Sequence, residues 1–125
     1  MAKILYFEDN DQFRELMKEM LGIFGYDVDS YSDPTKFLAR SQQKENIPSY
    51  KLLITDVDMP YMDGITFVRD HINKVGKDVP VLILTGGNSE EEIREAGIEN
   101  FHYLEKPVNM ISLEEKIKKV YNLIS

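Results

Sequence analysis

Two kinds of segment alternate along the chain. Short apolar runs close on polar residues: Ile4-Leu5-Tyr6-Phe7 on Glu8-Asp9, Leu52-Leu53-Ile54 on Thr55-Asp56, Val81-Leu82-Ile83-Leu84 on Thr85-Gly86-Gly87, and Phe101 to Leu104 on Glu105-Lys106-Pro107. Continuous apolar runs of this length suit strands covered on both faces, as in a parallel sheet. A weaker run, Tyr26 to Tyr31, alternates Tyr, Val and Ser with Asp and reads as an edge strand. The segments between them carry helical spacing. Phe13, Leu16, Met17, Met20, Leu21 and Phe24 form one stripe, with Gly25 as its stop. Asp33-Pro34 opens a helix with Phe37 and Leu38 on its apolar side. Asp63 caps a helix carrying Phe67, Val68, Ile72 and Val75. Asn88-Ser89 precede three glutamates suited to a helix N-terminus, and Asn109 caps a last stripe of Leu113, Ile117, Val120, Tyr121 and Ile124. Strand then helix, five times over, predicts an α/β fold: a doubly wound five-stranded parallel sheet with right-handed crossovers and helices on both faces.

Composition narrows the function. The 125 residues are 42% hydrophobic and 30% charged, which fits a single globular domain over residues 1–125 with no dividing linker. There is no cysteine, so disulfide scaffolds, thiolate zinc sites and cysteine nucleophiles are excluded. The net charge of -7 argues against direct nucleic-acid binding and against a polybasic membrane surface. No apolar run is long enough to span a membrane and no signal-peptide pattern opens the chain, so a cytoplasmic protein is expected.

In open α/β sheets, ligands bind beyond the carboxyl ends of the strands. The residues just past the runs are Glu8-Asp9, Asp56, Thr85 and Lys106. Taken singly, each has a bland reading as a helix cap, a turn residue or a solvated charge. Together, at four successive strand ends, they describe a site. Three carboxylates repel one another and need a cation. Oxygen donors without histidine or cysteine point to magnesium or a similar hard ion. A lysine ammonium and a threonine hydroxyl suit phosphate oxygens, and a carboxylate can act as nucleophile toward phosphorus. The set reads as phosphoryl transfer onto an aspartate.

These residues resemble a response-regulator receiver domain, of the kind found in chemotaxis regulators and phosphorelays. The likeness rests on Ile4 to Asn10, on Asp56-Val57-Asp58-Met59-Pro60-Tyr61-Met62-Asp63-Gly64, on Thr85-Gly86-Gly87 and on Lys106-Pro107, and it covers essentially the whole chain. It implies a flavodoxin-like strand order 2-1-3-4-5. It implies Asp56 as phosphoacceptor, and a magnesium site made by Asp9 directly, Glu8 through metal-bound water, Asp56, and the backbone carbonyl of Asp58. Thr85 and Lys106 resemble the pair that contacts the phosphoryl group, with Lys106-Pro107 as a cis peptide. Tyr103 resembles the aromatic switch partner of Thr85. The implied partners are a sensor histidine kinase or histidine phosphotransfer protein and an unspecified downstream protein, reached by a switching interaction surface and with no enzymatic turnover beyond the domain's own phosphorylation and dephosphorylation.

Departures from the family pattern are an acidic residue at position 58, a short segment from Thr85 to Gly97, and the supple Gly86-Gly87 pair. His71 and His102 read as surface positions outside the metal set. The Met1 start and the absence of an output domain favour a stand-alone receiver or an N-terminal fragment; excision from a larger regulator or hybrid kinase is the alternative. A haloacid-dehalogenase-type phosphatase is a remote alternative. Asp56-Val57-Asp58 mimics its nucleophile motif, but Glu8-Asp9 stand at the wrong end of the chain for its metal pair.

Overall fold

A computed structural model describes residues 3–43, 47–76 and 78–124, without the side chains of 123 and 124, so the Ile124 side chain of the last expected stripe lies outside what is described. The elements run β1 (Lys3–Phe7), α1 (Asp11–Ile23), β2 (Asp27–Tyr31), α2 (Pro34–Gln43), β3 (Leu52–Asp56), α3 (Gly64–His71), a one-turn 3-10 helix (Ile72–Lys74), β4 (Val81–Thr85), α4 (Glu90–Glu95), β5 (His102–Glu105) and α5 (Met110–Ile124). All strand pairs are parallel, and the order is β2-β1-β3-β4-β5, the doubly wound arrangement expected.

The pleat divides each apolar run between two cores. Leu5, Phe7, Leu53, Val81 and Ile83 point to one face, where Phe37 of α2, Phe67 and Val68 of α3 and Ile93 of α4 cover them. Ile4, Tyr6, Leu52, Ile54, Leu82 and Leu84 point to the other, against Met17 and Leu21 of α1 and Leu113, Ile117 and Val120 of α5. Period-two alternation puts neighbours on opposite sides, so a run must be apolar throughout when both sides are dry.

Some details differ from the sequence reading. Ile72 and Val75 do not extend α3, which ends at His71 and tightens into the 3-10 turn. Leu16 leaves the core: it is 54% exposed, while Met17 and Leu21, rotated toward the sheet, take the buried positions. His71 and His102 are half-buried at the surface, outside the carboxylate cluster. The His71 ring lies 6.0 Å from that of Phe67, and His102 lies in edge strand β5.

Candidate functional site

The strand register brings the four chain segments to one edge. Phe7 pairs with Thr55, Asp56 with Leu84, and Thr85 with Glu105, so Glu8, Asp56, Thr85 and Lys106 end their strands in one row. A backbone bond from the Lys106 N–H to the Thr85 carbonyl, 2.8 Å, holds the end of β5 against β4. The Lys106–Pro107 bond is cis.

At the floor of this edge, Asp56 is fully buried. The Lys106 ammonium stands 2.9 Å from its Oδ1, at ion-pair distance. Among the described residues, none donates an aligned hydrogen bond to either carboxylate oxygen of Asp56. Oxygens of Glu8, Asp9 and Asp56 lie within 4.8 Å of one another, with Glu8 and Asp56 buried and Asp9 exposed. Burial pushes the Glu8 carboxyl above the ordinary carboxylate range, and Asp56 beside it adds to the shift. Asp9, though exposed overall, is raised by partial desolvation of its carboxyl and by Glu8. For Lys106, burial lowers the pKa, but the carboxylates of Asp56, Glu8 and Asp9 outweigh it and hold the ammonium above its usual value. Acids made reluctant to ionise around a buried carboxylate that has one ammonium for a partner form a site short of positive charge.

That is the fit a hard divalent cation requires: three clustered carboxylates, no soft ligand among them, and a buried Asp56 whose oxygens meet no aligned hydrogen-bond donor among the described residues. The Asp58 side chain, in contrast, is exposed and stands outside this cluster. An open cleft of about 720 Å³ leads to the cluster and is lined by Glu8, Asp9, Phe13, Lys106, Pro107 and Val108 among others.

Thr85 lies at the same edge and is buried, with its hydroxyl turned into its own loop. The hydroxyl accepts from the Asn88 N–H at 2.8 Å and the Gly87 N–H at 3.3 Å, and donates to the Asn88 carbonyl at 3.2 Å. Tyr103 is half-buried on β5 opposite Ile83, its ring 6.3 Å from that of Phe101.

Several residues support the site in roles that the sequence reading did not assign. Arg14 donates to the Glu8 carbonyl at 2.8 Å and pairs with Asp11 at 2.7 Å, pinning the first turn of α1 to the site. Asn10 caps α1 through the Phe13 N–H, and its own N–H donates to Glu8 Oε2 at 3.1 Å. The Tyr6 hydroxyl faces Glu8 Oε1 at 3.5 Å. Gly64 gives α3 its close approach: a Cβ there would stand 2.0 Å from the Asp56 carbonyl oxygen. The cap was legible as Asn followed by a helical stripe, and Arg14 as the i+3 partner of Asp11; the closeness of Gly64 to Asp56 had no local signal.

A family model described as the response regulator receiver domain matches residues 4–118. The chain is 37% identical over 95 residues to the sensor protein EvgS of Escherichia coli K12, covering 76% of this chain and 7% of that protein. It is 33% identical over 122 residues to the transcriptional regulatory protein CpxR homolog of Haemophilus influenzae, covering 96% of this chain and 50% of that protein. The chain thus spans half or less of these curated relatives. Among solved structures, the chemotaxis protein CheY4 of Vibrio cholerae superposes with a TM-score of 0.78 at 31% identity, over 96% of this chain and 98% of that one. The response regulator protein TrrA of Thermotoga maritima, in complex with Mg(2+)-BeF, superposes with a TM-score of 0.74 at 30% identity, over 96% and 99%. Among the described residues, no helix is long and apolar enough to cross a membrane.

Proposed function

The chain belongs to the response regulator receiver domain family, and from that premise we propose that it takes a phosphoryl group from a phosphohistidine donor onto Asp56 and so switches a protein-interaction surface. The observation that carries this reading is the Lys106 ammonium 2.9 Å from a fully buried Asp56 carboxylate, with Glu8 and Asp9 grouped beside it. On this reading residues 1–125 work as one receiver unit, in the cytoplasm, alongside a sensor kinase or phosphotransfer protein.

An oxygen of Asp56 attacks phosphorus in line, the nitrogen–phosphorus bond breaks, and the imidazole leaves with the electron pair. Lys106 leaves its ion pair with the free carboxylate and follows the charge onto a phosphoryl oxygen. Glu8, Asp9 and Asp56, with the Asp58 carbonyl, would hold Mg2+, which when bound offsets the carboxylate charge and disperses charge on the transferring group. Thr85 must exchange its bonds to the Asn88 backbone for one to the new phosphoryl oxygens, since its hydroxyl is committed to its own loop. The space it leaves is then open to Tyr103, biasing the surface of α4, β5 and α5 between two states. Asp58, exposed at the rim, tunes phosphoryl lifetime or metal affinity; equal dephosphorylation rates for the native chain and Asp58→Asn would remove that role.

The curated relatives extend well beyond the matched region, which favours a second reading of how the unit is used: as one module of a larger regulator or hybrid kinase. The mechanism at Asp56 is the same in either case. Acetyl phosphate with Mg2+ is expected to add one phosphoryl group to the native chain by mass and none to Asp56→Asn; an unmodified native chain would overturn the proposal.

A further inference from the structure

Among the described residues, the core between the sheet and helices α1 and α5 is lined by Ile, Leu, Val and Met at every buried position except Tyr6. Tyr6 sits in the middle of β1, paired with Ser30 on one side and Ile54 on the other, and is fully buried. Phenylalanine would fill the same space without burying a polar atom, so packing does not call for the oxygen. A hydroxyl in that position has to be matched. Its match lies at the functional edge, where it faces Glu8 Oε1 at 3.5 Å.

The pleat explains the reach. The Glu8 N–H donates to the Tyr31 carbonyl at 3.1 Å, which carries the pairing of β1 one residue past its end. Positions 6 and 8 of an extended chain fall on one face about 6.6 Å apart, so a long side chain leaning along the strand brings its tip to the carboxylate. The other oxygen, Glu8 Oε2, accepts from the Asn10 N–H at 3.1 Å, and the Glu8 carbonyl accepts from Arg14 at 2.8 Å. Glutamate is by nature a rotamer-rich side chain. Here one oxygen is met from the strand, the other from the entrance of α1, and the backbone between them is pinned.

We propose that the Tyr6 hydroxyl is a positioning group that fixes Glu8 for a small cation and so makes this edge select Mg2+ over Ca2+. The inference rests on the reading of Glu8, Asp9 and Asp56 as the Mg2+ site. Mg2+ demands near-ideal octahedral geometry at about 2.0–2.1 Å, whereas Ca2+ accepts flexible geometry at about 2.3–2.6 Å. A carboxylate held through both oxygens suits the stricter ion. Freed on one side, Glu8 swings to follow the larger ion at little cost. Loss of the hydroxyl therefore weakens Mg2+ and leaves Ca2+ nearly untouched. Phenylalanine at position 6 removes that one donor and keeps the ring in the core.

Calorimetric titrations with MgCl2 and with CaCl2, at one ionic strength, read the selectivity directly. Tyr6→Phe is expected to lose about tenfold in Mg2+ affinity and no more than about twofold in Ca2+ affinity, with an unchanged or higher Tm in EDTA. Equal losses for the two ions, or no loss for either, overturn the proposal. A double-mutant cycle shows whether the hydroxyl works through Glu8. In a Glu8→Ala background, Tyr6→Phe should leave Mg2+ affinity unchanged; a loss as large as in the native background also overturns it. A native chain that binds no Mg2+ would sink the metal-site reading itself, a result distinct from bound Mg2+ with an unaltered preference in Tyr6→Phe.

Discussion

A carboxylate buried without an aligned hydrogen-bond donor is an unfavourable arrangement, and Asp56 is in one, relieved among the described residues by the ammonium of Lys106. Neutralising it should help the metal-free fold. Asp56→Asn is expected to raise stability in EDTA by about 1–2 kcal/mol, read from thermal unfolding, while abolishing labelling by acetyl phosphate. Mg2+ should reverse the ranking: at ten times its Kd it stabilises the native chain by about 1.4 kcal/mol and Asp56→Asn by less. The raised carboxyls of Glu8 and Asp9 set the pH dependence. An acid whose pKa is higher folded than unfolded holds its proton more tightly in the fold, so its ionisation subtracts stability as pH rises through that pKa. Mg2+ competes for the same oxygens. Its stabilising effect should therefore grow from pH 5 to pH 7.5, and a Tm shift independent of pH would contradict the assignment of these residues to the metal. Lys106 and Thr85 were legible as residue types, but the direction of the Thr85 hydroxyl was not, because a rotamer held by the Asn88 backbone leaves no mark on composition.

At the scale of elements, two glycines separate local from tertiary demands. Gly22, near the end of α1, has nothing within 4 Å of an added Cβ, whereas Gly64 at the start of α3 would drive one into the Asp56 carbonyl. Gly22→Ala should stabilise the protein by about 0.5–1 kcal/mol through helix propensity. Gly64→Ala should destabilise it by about 1–3 kcal/mol and slow acetyl phosphate labelling, because the backbone that aims Asp56 must move. Denaturant midpoints compare the two directly, and equal effects would show that the approach of α3 does not position the site. The short α4, Glu90–Glu95, is held by a reciprocal cap between Ser89 and Glu92. Its N-terminus was readable from Asn88-Ser89 and the following glutamates, because caps are local. The end of α3 at His71 was not, because apolar spacing alone does not distinguish an α-helix from an α-helix that tightens into a 3-10 turn.

Over the whole molecule, the -7 charge and the acidic edge act together. Screening extends over about 30 Å at 0.01 M salt and about 8 Å at 0.15 M, so distant carboxylates assist cation capture only when salt is low. The Kd for Mg2+, measured by titration calorimetry, is expected to rise severalfold between 0.01 M and 0.3 M KCl. A constant Kd would mean that the three clustered carboxylates alone set affinity. The two cores of the sheet place α1 and α5 on one side and α2, α3 and α4 on the other. The cleft thus opens at the strand ends between α1 and the start of α5, where Asp9, Phe13, Lys106 and Val108 line it.

Local pattern alone determined the number and order of elements, the two-sided burial of the sheet and the residue types at the strand ends. Strands dry on both faces must be apolar at every position, and helices announce themselves by their period and caps, so these features are written in neighbouring residues. Tertiary structure decided which of those end residues meet. The ion pair of Lys106 with Asp56, the grouping of Glu8 and Asp9 with Asp56 and the exclusion of the Asp58 side chain from that cluster all depend on how distant segments close on one another. The strand register and rotamers that govern those meetings arise from contacts between segments tens of residues apart, which no local window contains.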